Sequence, residues 1–197
     1  MILPDNLHTL LGQTLPKERE ALALIASLAP FGTSIVELGT YLGQTAICMA
    51  WGSAKGNRVP IYTVDPHILY KGRMDRGEVY GPTDLPILYH QLADQDHEIT
   101  QLLHCVSLPS VAVAAIWPPQ TLSVLFIDAL HDTQSVYVDI VAWQPALIAG
   151  ALVVFHDHNY PTVRQAIKLA VERGISLTLR MEPSPSLGIY DYAKPAD

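Results

Sequence analysis

The sequence contains little that would suit a secreted, membrane-embedded or disulfide-rich protein. Only two of its 197 residues are cysteines, Cys48 and Cys105, and both lie within apolar stretches. Two distant thiols provide no disulfide framework, so we expect buried free cysteines in a reducing compartment. No apolar run approaches the ~18 residues of a membrane span, and the N-terminus lacks the basic region of a signal peptide. These absences predict a cytoplasmic protein without a membrane partner.

Positive charge is also scarce. Lys and Arg number 12 against 19 Asp and Glu, which gives a formal net charge of −7, and no basic run occurs. Because nucleic-acid affinity depends on clustered Lys and Arg, the composition disfavours a DNA or RNA partner. Charged residues make up 16% and hydrophobic residues 49% of the chain. This balance favours one domain with a substantial core, comprising an N-terminal helical segment over 1–30 and a main domain over 31–197.

The hydrophobic pattern predicts strands that alternate with helices. Strands are expected over 33–38, 59–65, 101–106, 121–128, 150–156, 175–181 and 187–192. Helices are expected over 4–14, 17–28, 43–54, 82–97, 108–116, 133–148 and 161–173, with Gly174 closing the last one. Such alternation predicts an α/β fold with a parallel, doubly wound sheet. The turn-rich link over 182–186 predicts an antiparallel hairpin for the last two strands.

The segment from Ile35 to Gly43, IVELGTYLG, predicts a nucleotide pocket. It begins as an apolar strand that carries Glu37 and then turns at Gly39, where the lack of a side chain allows a sharp bend and close approach of a ligand. The next predicted strand ends as IYTVD, and its Asp65 can accept both hydroxyls of a ribose.

A second block, residues 124–164, places further acids and histidines near the same edge of the sheet. It reads VLFIDALHDTQSVYVDIVAWQPALIAGALVVFHDHNYPTVR. Neighbouring strands lie ~4.8 Å apart, so Asp128 and Asp157, which end the fourth and fifth strands, can share one cation. Ligands of open α/β sheets bind at these carboxyl ends. Carboxylates with water suit Mg²⁺, whereas added imidazole favours Mn²⁺, Fe²⁺ or Zn²⁺.

Together the two blocks resemble class I S-adenosylmethionine-dependent methyltransferases. The resemblance covers about residues 31–173 and is closest to the small-molecule group that includes macrolide-sugar O-methyltransferases and cephalosporin-hydroxylase relatives. It rests on the pattern E-x-G-x-x-x-G and on D-A-L-H followed by H-D. The chain departs from the group pattern at Thr133, Gln134 and Ala151, and His158 stands where many metal-using relatives have an acid or amide. The resemblance implies a Rossmann-like sheet of seven strands in the order 3-2-1-4-5-7-6.

The resemblance also implies O-methylation of a small molecule and assigns roles to individual residues. S-adenosylmethionine would bind a set of residues near the strand ends: Glu37, Gly39, Tyr41, Gly43, Asp65, Ser107 and Asp128. Catalysis would involve Asp128, His131 and His158. A Mg²⁺ or another divalent cation would be held by Asp128, Asp157 and His158. By the two-residue period of a strand, His156 should point away from Asp157.

Simpler roles remain possible for these residues. Asp157 could cap the helix that begins near Pro161, and Asp128 could accept hydrogen bonds from backbone amides of the following loop. Glu37 could form a salt bridge beneath the Gly39 loop. His131 could be structural, or it could take the substrate proton alone in a site without metal.

Other functions also stay open at this stage. A non-methylating enzyme on the same scaffold, such as a hydroxylase relative, would use the same fold. A non-catalytic cofactor-binding subunit would do so as well, and a homo-oligomer is possible. Residues 66–81 contain three glycines and no hydrophobic period, which fits either a surface loop or a lid over the pocket.

Overall fold

A seven-stranded sheet organises the chain, and the computed structural model describes residues 1–68, 70–71 and 79–194. The strands are β1 (Ser34–Leu38), β2 (Ile61–Val64), β3 (Tyr70–Lys71), β4 (Val79–Tyr80), β5 (Leu103–Val106), β6 (Leu122–Ile127), β7 (Leu147–Phe155), β8 (Ser176–Ser184) and β9 (Leu187–Ala193). The helices are α1 (Asp5–His8), α2 (Pro16–Leu28), α3 (Gln44–Ala54), α4 (Asp84–Ala93), α5 (His97–Thr100), α6 (Ser110–Ala114), α7 (Thr133–Trp143) and α8 (Pro161–Glu172).

The main sheet has the order β5-β2-β1-β6-β7-β9-β8, and β3 pairs only with β4 in a separate hairpin. Strands β5, β2, β1, β6 and β7 are parallel, whereas β9 runs antiparallel to both β7 and β8. Counted without the small hairpin, this is the predicted order 3-2-1-4-5-7-6, so the fold prediction is confirmed. The order reverses between β1 and β6, which is where open α/β sheets form their ligand crevice.

Several predicted boundaries differ from the structure. Helix α1 ends at His8 instead of continuing to residue 14, and the helix expected over 82–97 is divided into α4 and α5. Helix α7 stops at Trp143 because Pro145 cannot donate a backbone hydrogen bond, and a 3₁₀ turn leads directly into β7. Half of the predicted lid over 66–81, namely residue 69 and residues 72–78, lies outside the described residues.

The core occupies both faces of the sheet because successive strand residues alternate between them. In β6, Leu125 packs against the helices α7 and α8, whereas Phe126 faces α2 and α3. Trp143 is fully buried on the first side. Across the described residues, no helix is long and apolar enough to cross a membrane.

Helix α2 is packed tightly on α3. A side chain at Gly52 of α3 would overlap with the backbone carbonyl of Ala23 in α2, so the two helices approach at backbone distance. The first turn of α2 thereby places Glu18 next to the turn that joins β8 and β9. The N-terminal helices are thus an integral part of the wall that surrounds the sheet edge.

Candidate functional site

A cavity of about 780 Å³ opens at the carboxyl ends of β1, β2, β6 and β7. Its size is within the range of small-molecule and cofactor sites, which is ~300–1,000 Å³. The residues around it include most of those that the sequence singled out: Gly39, Tyr41, Asp65, Asp128, His131, His156 and Asp157. The parallel strands bring them together because their carboxyl ends share one edge.

The loop after β1 depends on glycine at position 39. Gly39 has a φ of +91°, and a side chain there would overlap with the carbonyl oxygen of Asp128. Asp65 holds the same loop, because its Oδ2 accepts hydrogen bonds from the backbone N–H groups of Thr40 (3.0 Å) and Tyr41 (3.2 Å). Its Oδ1 accepts another from His67 N at 2.8 Å. The carboxylate of Asp65 is therefore fixed at the cavity wall.

Glu37 lies beneath this loop and not in the cavity wall. Its side chain is fully buried, its Oε2 accepts a hydrogen bond from Thr63 Oγ1 at 2.6 Å, and its Oε1 accepts one from Thr45 Oγ1. Burial raises the pKa of Glu37 to about 8, although the two hydroxyl groups oppose the shift. The structure therefore gives Glu37 neither the cofactor contact nor the salt bridge considered from the sequence.

Two further predicted cofactor residues also lie outside the cavity wall. Gly43 adopts a φ of +81° where α3 begins, and Ser107 is exposed after β5. Ser110 faces the cavity instead. Its Oγ donates to Asp139 Oδ1 at 2.6 Å and accepts from Trp143 Nε1 at 2.9 Å. The residue after β5 that lines the cavity is therefore three positions further along the chain than predicted, at the first residue of α6.

Four side chains that can bind a metal or transfer a proton meet beyond β6 and β7. Nε2 of His131 lies 3.2 Å from Asp157 Oδ2 and 3.6 Å from Asp128 Oδ1. Nδ1 of His156 lies 3.0 Å from Asp128 Oδ1 and 3.9 Å from Asp157 Oδ2. The structure thus places both predicted acids and His131 in one cluster, together with His156.

The prediction that His156 points away from Asp157 is wrong. Strand β7 ends at Phe155, and Asp157 adopts a φ of +48°. The alternation of side chains holds only for extended backbone, so it ends with the strand. The left-handed conformation turns Asp157 toward the same cavity as His156.

His158 also departs from its predicted role. Its Nε2 lies 2.7 Å from the Tyr190 hydroxyl, and its Nδ1 lies 2.9 Å from Glu182 Oε1. The side chain is buried against β9 and is absent from the cavity wall. The predicted metal-binding and catalytic contributions of His158 therefore have no support in the geometry.

Sequence reasoning missed Glu18, which reaches the cluster from α2. Its Oε2 lies 3.4 Å from His156 Nε2. Burial opposes ionisation of Glu18, but hydrogen bonds from His156, Ser184 and Ser186 outweigh it and lower the pKa to about 2. The one sequence signal is an acid three residues after Leu15 at a helix start, a spacing typical of helix capping.

The buried charges of the cluster compensate one another. Burial opposes the protonation of His156, but the carboxylate of Asp128 outweighs it and raises the pKa of His156 to about 11. Burial likewise opposes the ionisation of Asp128, yet His156 and His131 hold its pKa below the usual value. For Asp157 burial dominates, and the pKa of that carboxyl is raised. The cluster therefore contains one carboxyl group with a lowered pKa, Asp128, and one with a raised pKa, Asp157, both beside the imidazoles.

A family comparison identifies the chemistry that this cavity serves. The family described as "methyltransferase domain" matches residues 36–158, from the Gly39 loop through the acid pair. The chain belongs to this methyltransferase family. The prediction of an S-adenosylmethionine-dependent methyltransferase is thereby confirmed. No curated protein sequence matches the chain.

Solved structures of methyltransferases share the fold. The O-methyltransferase NovP is 15% identical, with a TM-score of 0.68 over 90% of this chain and 80% of that chain. An O-methyltransferase from Bacillus cereus in complex with SAH is 15% identical, with a TM-score of 0.67 over 98% and 92%. CalS11, a TDP-rhamnose 3′-O-methyltransferase of calicheamicin biosynthesis, is 18% identical, with a TM-score of 0.61 over 88% and 77%. At these identities the likeness establishes the fold.

The cluster of this methyltransferase fits a divalent cation. Ligand atoms of Asp128, His131 and His156 all lie within 4.8 Å of one another. Neighbouring ligands in octahedral coordination with bonds of 2.0–2.1 Å are separated by ~3 Å, which is close to the separations in the cluster. Nε2 of His131 is buried, and no described group forms a well-directed hydrogen bond with it. A buried imidazole nitrogen beside two carboxylates is suited to a metal or to a substrate proton.

Proposed function

We propose that this methyltransferase transfers the methyl group of S-adenosylmethionine to a hydroxyl group of a small molecule. The observation that carries the proposal is that one cavity contains both the Gly39–Asp65 wall and His131, whose Nε2 lies between the carboxylates of Asp128 and Asp157. A hydroxyl is a weak nucleophile until its proton is removed, so a site for O-methylation requires a proton acceptor beside the cofactor. The names of NovP, CalS11 and the Bacillus cereus enzyme as O-methyltransferases support this choice.

The cofactor half of the cavity is formed by the ends of β1 and β2 and by the start of α6. S-adenosylmethionine supplies a methyl group that is already activated on a sulfonium. Gly39 leaves space for a ligand at the loop, and Asp65 presents a carboxylate to the ribose hydroxyls. Tyr41 and Ser110 also line the cavity, and we propose Ser110 for the cofactor contact that was predicted at Ser107. These residues bind the cofactor and orient its methyl group, and such positioning provides most of the catalysis in a methyl transfer.

The acceptor half is formed by the cluster beyond β6 and β7. A divalent cation held by Asp128, His131 and His156 would lower the pKa of an acceptor hydroxyl. Asp157 is placed to take the proton, because its carboxylate lies 3.2 Å from His131 Nε2 and burial raises its pKa. In the competing arrangement without metal, Nε2 of His131 takes the proton itself. Both arrangements use the same cavity and the same acceptor class.

The cofactor assignment is tested by calorimetry with S-adenosylhomocysteine. We expect a dissociation constant in the micromolar range, about −8 kcal/mol. Asp65→Ala should weaken binding at least several-fold, because charge-assisted hydrogen bonds to the ribose and the support of the loop are both lost. Asp94→Ala removes an exposed acid outside the cavity and serves as the matched control. No heat of binding with the folded parent protein would refute the proposed function.

The metal assignment is tested by titration with Mn²⁺. We expect His131→Ala to weaken binding strongly, whereas His158→Asn should bind like the parent because His158 contacts Tyr190 and Glu182. Activity should fall in excess chelator and return with Mn²⁺ or Mg²⁺. Full activity in chelator, combined with a large loss in His131→Ala, would decide for the metal-free arrangement. Products can be followed by mass spectrometry with a panel of hydroxylated small molecules.

A further inference from the structure

The buried carboxylate of Glu18 joins three separate parts of the chain. Its Oε1 accepts hydrogen bonds from Ser184 Oγ and Ser186 Oγ, both at 2.5 Å. Its Oε2 accepts one from the backbone N–H of Leu15 at 2.7 Å and faces His156 Nε2 at 3.4 Å. The side chain is fully buried, and within the described part of the chain His156 is the one basic group at ion-pair distance from it.

His156 is held between two acids, one at each ring nitrogen. Nε2 faces Glu18, and Nδ1 lies 3.0 Å from Asp128 Oδ1. A carboxylate can only accept a hydrogen bond, so each ring nitrogen of His156 faces an acceptor. A contact made by one imidazole nitrogen fixes the orientation of the ring, and thereby determines where the other nitrogen points.

We propose that Glu18 is a positioning residue of the active site, whose buried carboxylate faces Nε2 of His156 and fixes the orientation of the ring, so that Nδ1 is directed toward Asp128 and Asp157. The inference rests on the proposed function in so far as the cluster serves methyl transfer. It assigns a role in the site to a helix that lies outside both sequence motifs. This arrangement also balances charge, because the imidazole lies between two carboxylates that would otherwise repel one another.

A purely structural role for Glu18 is the competing explanation. The same carboxylate caps the start of α2 through Leu15 and ties that helix to Ser184 and Ser186. A structural role predicts that substitutions lower thermal stability and leave the properties of His156 unchanged. The two explanations therefore differ in what happens to the imidazole and not in what happens to the fold.

The first measurement uses the parent protein and its Glu18 variants, labelled with ¹⁵N-histidine. Imidazole nitrogen–proton correlation spectra report the environment of each ring nitrogen. We expect the Nδ1 signal of His156, assigned by comparison with His156→Asn, to shift in Glu18→Met and to return toward that of the parent in Glu18→Gln, although Nδ1 is the nitrogen that does not face Glu18. An Nδ1 signal that is unchanged in Glu18→Met would overturn the inference. This readout requires neither metal nor substrate.

The second measurement compares three variants. Glu18→Met removes the acceptor and should weaken Mn²⁺ binding by about tenfold or more, the usual effect of losing a group that orients a ligating histidine. Glu18→Gln should retain affinity near that of the parent, because its amide oxygen can still accept from Leu15 and from His156 Nε2. Ser184→Ala with Ser186→Ala is the matched control, since it disturbs the other carboxylate oxygen and leaves His156 in place.

The outcomes separate this inference from the proposed function. If the parent binds S-adenosylhomocysteine and Mn²⁺ while Glu18→Met keeps full Mn²⁺ affinity, only the inference on Glu18 fails. In a His156→Asn background, Glu18→Met should cause no additional loss, because Glu18 acts through His156. Independent, additive losses would also overturn it. If Glu18→Met does not fold, Glu18→Asp takes its place in both measurements, because the shorter side chain withdraws the carboxylate from His156.

Discussion

Replacement of Glu37 by glutamine should change how the stability of the protein depends on pH. The side chain is fully buried, and burial raises its pKa from 4.5 to about 8. The folded protein therefore keeps a proton that the unfolded chain loses between those two values. Stability attributed to Glu37 is fully present below pH 4.5 and is lost as the pH rises to about 8.

The size of the effect follows from this shift. At 1.36 kcal/mol per pKa unit, ionisation of Glu37 in place costs up to about 5 kcal/mol. Glutamine resembles the protonated acid, because its oxygen can accept from Thr45 and its amide can donate to Thr63. The stability of Glu37→Gln relative to the parent should therefore rise by about 3 kcal/mol between pH 5.5 and pH 9.

Denaturant unfolding of both proteins at several pH values measures this difference directly. Asp139→Asn is a matched control, since Asp139 is also buried and bonded to a hydroxyl, but its pKa is raised only to about 6. The difference in unfolding free energy between Asp139→Asn and the parent should stay constant between pH 7 and pH 9. Over the same range, the difference between Glu37→Gln and the parent should still rise by about 1 kcal/mol. A difference for Glu37→Gln that does not vary with pH would refute the reasoning. S-adenosylhomocysteine should bind both variants like the parent.

Two glycine substitutions test the geometry around the site. Gly39→Ala combines a strained φ with a clash against the carbonyl of Asp128, so S-adenosylhomocysteine binding by calorimetry should be abolished; retained binding would mean that the loop is not built as described. Gly52→Ala should push α2 away from α3 and lower stability in urea by about 1–3 kcal/mol. The same variant should also weaken Mn²⁺ binding, because α2 carries Glu18, and unchanged affinity would argue against coupling between that helix and the cluster.

The sheet and much of the site were predictable because both follow from local patterns. Alternating apolar runs define the strands, and parallel strands bring their carboxyl ends to one edge. This rule alone places Asp65, Asp128 and Asp157 around the loop of Gly39. The serine that lines the cavity is Ser110 and not the predicted Ser107. The two lie three residues apart after a strand end, where the boundaries of elements are set by packing.

The remaining features depend on contacts that no local pattern encodes. His156 faces the cavity because Asp157 takes a left-handed conformation after the strand, where the two-residue period no longer applies. His158 leaves the cluster because β9 supplies Tyr190 as a partner. Glu18 is separated from His156 by 138 positions, and only the packing of α2 on α3 brings them together. Long-range contacts of this kind can be read only from the folded chain.

The bonds of Glu18 have a consequence for the order of events during synthesis. Ser184 and Ser186 follow Glu18 by 166 and 168 positions, so its carboxylate acquires these partners only after residue 186 has been translated. Until then the acid remains hydrated, because burial without those hydroxyls would leave a charge largely unpaired. A nascent chain that already contains both sequence motifs would therefore still lack an organised His156. Methyltransferase activity would therefore require synthesis to have passed Ser186.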